Sequence, residues 1–95
     1  MRQTRVNIGV NPYINEIIDE DAYAKGESRS GLIRLAIKQR YKFKDLILVE
    51  GPFNVYMRVN IPREGAAHVR KLAYKNNVPI SSIYCAIIKR YIHGS

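Results

Sequence analysis

The sequence predicts an α+β domain, mostly α, in which a two-stranded antiparallel ribbon lies over four helices. Three observations predict it. The chain repeats its own pattern, without a gap, at an offset of 51 positions. Each repeat opens with a short stretch of period-two alternation, the mark of a strand with one buried face. Each then runs into two stretches whose apolar residues recur at helical spacing. Residues 1–43 form the first repeat, 55–95 the second, and 44–54 join them.

The repeat is carried by pattern more than by identity. "RVNIGVN" (5–11) lies over "YMRVNIP" (56–62), so Val6, Ile8 and Val10 fall on Met57, Val59 and Ile61. Ala22-Tyr23 falls on Ala73-Tyr74, Ser30 on Ser81, and Ile37-Lys38 on Ile88-Lys89. A shared apolar pattern means a shared buried face. One strand and two helices, about 40 residues, bury too little surface to stand alone. A lone strand also leaves a row of backbone groups unpaired. Two copies in one chain answer both problems: the strands pair antiparallel about an internal twofold, and the helices share one core.

The first strand is expected at 4–10. Asn11-Pro12 then reads as an N-cap followed by proline at the first helical position. A helix over 12–25 buries Ile14, Ile17, Ile18 and Ala22. Gly26 suits the left-handed residue that ends it, and Ser28 caps the next helix. That helix, 29–43, carries Leu32, Ile33, Leu35, Ala36, Ile37 and Tyr41 on its apolar side. Arg29, Arg34, Lys38, Arg40, Lys42 and Lys44 form its wet side. The joining segment "KDLILVEGPFN" (44–54) is too apolar for a plain tether. Leu46 to Val49 followed by Gly51-Pro52 leaves two readings: a third strand beside 55–61, which we favour, or a tether packed over the helices. A third strand would widen the sheet by ~4.8 Å. It would also offer an apolar edge through which a second copy could be recruited.

The second strand is expected at 55–61. A helix over 62–76 follows, with Ala66, Val69, Leu72 and Ala73 inward, and Asn77 suits its left-handed cap. Pro79 opens the last helix. There Ile80, Ile83, Tyr84, Ile87, Ile88, Tyr91 and Ile92 recur at helical spacing, the strongest amphipathic signal in the chain.

Charge narrows the function. Lys and Arg number 16 against 8 Asp and Glu, a net +8 on 95 residues. An excess of that size points to a polyanionic partner, nucleic acid first and an anionic membrane surface second. Residues 52–95 hold 7 basic and 1 acidic side chains, residues 1–51 hold 9 and 7, so the excess lies in the second repeat. Glu16, Asp19, Glu20 and Asp21 crowd one helix, read as a face turned away from the polyanion. The single cysteine, Cys85, has no internal partner and fits the cytoplasm, as a partly buried helix residue. "MRQTRVNIGV" has no apolar signal-peptide core, and no apolar run nears the ~20 residues of a membrane span.

The strand–helix–helix unit with these caps resembles the ribbon-helix-helix family of transcriptional regulators. "IPREGAAHVRKLAYKNN" is similar to the phage-repressor branch. "GESRSGLIRLAI" (26–37) is similar to the opening of the second helix in the plasmid repressor and antitoxin branch, and "NNVPISSI" (76–83) to its proline-containing variant. The two repeats fused in one chain resemble small regulators of archaeal filamentous viruses, which would place the protein in a host cell's cytoplasm.

The resemblance implies an intramolecular pseudo-dimer whose ribbon enters the major groove of double-stranded DNA. The outward residues Arg5, Asn7, Gly9, Tyr56, Arg58 and Asn60 would then read bases. Arginine forks onto guanine and asparagine onto adenine, each good pair discriminating by ~1–3 kcal/mol. Gly9 has no side chain and reads nothing, or lets the backbone come close. Because the strands differ, the site need not be a perfect palindrome. The starts of the second helices would clamp phosphates through Ser28, Arg29 and Ser30, with Ile80, Ser81 and Ser82 opposite.

Other functions are weaker expectations. An antitoxin-type interaction module needs a segment beyond the last helix, where only "HGS" follows Ile92. No catalytic residues, metal, cofactor or small-molecule site is expected. His68 and His93 lack ligand spacing and read as surface residues, and no nucleophile–base pair or phosphate-cradling glycine loop is present. RNA binding lacks an aromatic reading strand, and the tyrosines fall mostly at core spacings.

Overall fold

The computed structural model describes residues 2–94. Its elements run β1 (Gln3–Val10), α1 (Pro12–Lys25), α2 (Arg29–Lys38), β2 (Val55–Pro62), α3 (Arg63–Asn76) and α4 (Ile80–His93). The fold is α+β and mostly helical, with β1 and β2 forming a two-stranded antiparallel sheet.

The caps explain the boundaries. Asn11 stays extended, and its side-chain oxygen accepts the Ile14 N–H at 2.7 Å. Ser28 does the same for Gly31 at 3.0 Å. These satisfy N–H groups that a helix start otherwise leaves unpaired. Gly26 and Asn77 adopt φ of +65° and +55°, closing α1 and α3 with left-handed caps.

The ladder pairs Gln3 with Pro62 through Val10 with Val55. Its inner side chains, Ile8, Val10, Val59 and Ile61, are buried, and Val6 and Met57 pack at the margin. Beneath them lie Ile14, Ile17 and Ile18 of α1, Leu32, Ile33 and Ile37 of α2, Val69 of α3, and Ile83, Ile87 and Ile88 of α4. Apolar area removed from water at ~25 cal/mol per Å² is the main source of stability here. α4 is the central helix. Every residue from Ser82 to Ile88 is buried, so it is enclosed on all sides rather than along one stripe. Cys85 is fully buried within it, not partly.

The register agrees with the repeat. An offset of 51 carries Asn7 onto Arg58, and the ladder pairs these same two residues. Exchanging the repeats therefore returns the same pairs from Thr4–Ile61 to Val10–Val55, while Gln3–Pro62 has no counterpart in the ladder. Two side-chain contacts obey the same exchange. Arg34 Nε donates to the Asn60 carbonyl at 2.9 Å, and Cys85 Sγ lies 3.8 Å from the Gly9 carbonyl as donor. Residues 34 and 85 are counterparts, as are 9 and 60. α2 thus lies along the free edge of β2, and α4 along that of β1.

Several expectations are corrected. Residues 44–54 form no strand. Leu46, Val49 and Phe53 instead pack against the core while Ile47 and Leu48 face outward, so the segment is a packed tether. Leu46, Val49 and Phe53 find burial against the core without strand pairing. The edge proposed for recruiting a second copy is therefore absent. The second helix stops at Lys38 and gives way to a 3-10 turn, Arg40–Lys42. Arg40 explains this. Its guanidinium turns inward to the Ile37 carbonyl (2.7 Å), His68 Nδ1 (3.0 Å) and the Tyr41 hydroxyl (2.6 Å). Arg40 is buried rather than on a wet face, and Tyr41 is exposed rather than inward. His68, expected at the surface, is half-buried and stacks on Tyr41.

Candidate nucleic-acid interface

Strand alternation turns Arg5, Asn7, Arg58 and Asn60 to the face opposite the core, and all four are exposed. The register sets Arg5 across from Asn60 and Asn7 across from Arg58. Two arginine–asparagine pairs therefore lie side by side along the ribbon. Among the described residues none of these side chains has a hydrogen-bonding or ion-pair partner in the fold, so their donors and acceptors are open. Tyr56 extends the same face and is 71% exposed.

Gly9, opposite Tyr56, belongs to this face by alternation but is buried. A β-carbon there would lie 3.1 Å from Ser81 Oγ, 3.2 Å from the Phe53 carbonyl oxygen and 3.2 Å from the Tyr56 ring. The backbone that approaches this glycine is the tether. Glycine at position 9 lets the tether cross, and Asn11 Nδ2 holds the same segment by donating to the Glu50 carbonyl at 3.2 Å. Gly9 is thus set apart from the other five residues.

The helix starts flank the ribbon. At α2, Ser28 and Arg29 are exposed and Ser30 half-buried. The Ser28 hydroxyl is engaged as a cap. The Arg29 guanidinium donates to Asn15 Oδ1 at 2.6 Å, reaches Met57 Sδ at 3.9 Å and pairs with Asp19 at 3.0 Å. At α4, Ile80 is exposed, Ser81 half-buried and Ser82 buried. The Ser82 N–H bonds the Pro79 carbonyl at 3.0 Å. No side chain caps α4. Its first turn therefore offers backbone N–H groups, where a helix start favours an anion. The Ser82 hydroxyl lies inside and is not part of that surface.

The acidic stretch on α1 is mostly solvated, but Asp19 reaches the α2 start through its pair with Arg29. Glu16, Asp19 and Glu20 are exposed, and Asp21 meets Lys25 at 3.0 Å. The pairing raises the Lys25 pKa through its hydrogen bond to Asp21.

Two features escaped the sequence reading. Arg34 lies on a helix face that pattern assigns to solvent, yet it caps a strand-edge carbonyl. The tyrosines fall mostly at core spacings, yet Tyr13, Tyr23, Tyr41 and Tyr74 are exposed. Periodicity marks a stripe but not its width, and tyrosine is amphipathic enough to sit at its rim.

Burial pushes the Cys85 thiol up to about 11, so it is protonated and unreactive at neutral pH. Among the described residues no group of three His, Cys, Asp or Glu side chains comes together to hold a metal ion. No described helix is long and apolar enough to cross a membrane. Comparison of the chain with protein-family models, with curated proteins and with solved structures found no match.

Proposed function

We propose that the protein is a sequence-specific, double-stranded DNA-binding transcriptional regulator of ribbon-helix-helix type, both units of the pseudo-dimer being supplied by one chain. The observation that carries this reading is the ribbon's outer face. Two arginines and two asparagines stand there exposed, in register, and free of partners in the fold. A two-stranded ribbon fits the ~12 Å major groove, where these side chains match guanine and adenine edges. The helix starts beside each edge lie where flanking phosphates would run, and the net charge of +8 supplies attraction. Arg5, Asn7, Arg58, Asn60 and Tyr56 are the base-reading residues in this account. The phosphate contacts fall to Ser28, Ser30, Ile80 and Ser81, largely through backbone N–H groups. Arg29 contributes once it leaves Asp19, an exposed pair worth ~0–1 kcal/mol.

Selection of bound sequences from random duplex DNA tests the proposal. A defined motif of a few base pairs should be enriched, and binding should weaken steeply with salt. Retention of RNA in preference to duplex DNA, or recovery of no motif, would overturn it.

A further inference from the structure

The two ends of the ribbon are related by the repeat but differ in chemistry. At one end, Arg5 faces Asn60. At the other, their counterparts are Tyr56 and Gly9, and the tether covers Gly9.

The contrast continues beyond the ribbon. Past the Arg5/Asn60 end, where the Arg63 N–H bonds the Arg2 carbonyl at 3.1 Å, an open cleft of about 720 Å³ is lined by Arg2, Arg63 and Arg70 with Thr4. All three arginines are exposed, and Glu64 is the one acidic residue of the lining. Among the described residues none of the three guanidinium groups has an ion-pair partner. At the opposite end the same three positions are Phe53, Pro12 and Asp19. Phe53 is half-buried in the tether, and Asp19 is paired with Arg29. Three positive charges on one side thus correspond to one negative charge on the other.

We propose that the protein engages DNA in a single orientation. The Arg5/Asn60 end reads one half of the site, and the cleft of Arg2, Arg63 and Arg70 holds the phosphodiester backbone flanking that half. The Tyr56 end, where Gly9 supplies no side chain, reads the other half with less discrimination. This rests on the DNA-binding reading and adds polarity and a second backbone contact to it. Arginine is suited to the contact because its planar fork pairs two phosphate oxygens at once. A symmetric dimer of identical units carries the same groups at both ends. A chain with two unlike repeats can make one end a charged anchor.

The test uses the full chain and duplexes recovered from a random pool. The recovered motif should be non-palindromic, with its sequence information concentrated in one half. In hydroxyl-radical footprints, Arg63→Ala/Arg70→Ala should lose backbone protection on the flank of that half alone. The slope of log affinity against log salt should fall by about 2, since each phosphate contact on B-DNA contributes ~0.9. Tyr13→Ala, at the opposite end, should leave affinity within about twofold. Both variants change exposed side chains, and thermal melting confirms that each folds. A palindromic motif, or equal loss of protection on both flanks, would overturn the polarity while leaving DNA binding intact. Failure to retain any duplex would overturn both.

Discussion

Gly65 shows how much one residue can decide. It is buried in the first turns of α3, and a β-carbon there would collide with Ile37 Cγ2 and crowd the Arg40 guanidinium. Alanine would gain ~1 kcal/mol in helix propensity. Overpacking costs ~1–3 kcal/mol. Gly65→Ala is therefore expected to lower stability by roughly 1 kcal/mol, read as a lower urea midpoint at constant slope. Arg40 needs that space because its buried guanidinium is held by neutral acceptors, among them His68 Nδ1. Burial, then the charges of Arg40 and Lys71, depress the His68 pKa below its usual 6.5. The unfolded chain thus takes up the proton first as pH falls. Stability is full above about pH 6.5 and is lost on acidification below it. The melting temperature should rise between pH 5 and pH 7.5, and His68→Gln should flatten that part of the profile.

At the scale of elements, the parts with a local signature were legible in the sequence. Asn11-Pro12, Ser28, Gly26 and Asn77 each act through their own backbone, so their caps can be read from neighbours alone. The burial of Ile14, Ile17, Ile18 and Ala22 follows from period, as does the outward face of β2. What depended on distant packing was not legible. The run Leu46–Val49 has the composition of a strand, but only Leu46 and Val49 find burial, against the core and not in a sheet. α2 ends early because Arg40 finds acceptors on α2 and on α3. Gly9 is buried because the tether crosses a position where alternation places solvent. In the tether, Leu46 packs on the core while Ile47 is 72% exposed. Ile47→Ser should change stability by less than ~0.5 kcal/mol, whereas Leu46→Ser should cost clearly more. Equal effects would show that the tether is not packed in this way.

At the scale of the molecule, neither repeat has a complete core. β1 lacks a partner without β2, and the Cα radius of gyration of 12.0 Å is that of one body of this length rather than two linked ones. Fragments 1–43 and 55–95 should each be largely unfolded by circular dichroism, and should gain structure on mixing. The central claim is that the ribbon face reads bases. It is tested most directly by binding of Arg58→Ala to a selected duplex and to an unrelated duplex at the same salt. Arg58 is exposed and lies at the centre of the register, so its loss should leave the fold intact. The account predicts a loss of roughly 5- to 150-fold on the selected duplex, the worth of one bidentate base contact at ~1–3 kcal/mol, and a much smaller loss on the unrelated one. Equal losses on the two duplexes would contradict it, since they would reduce Arg58 to one more positive charge near a phosphate.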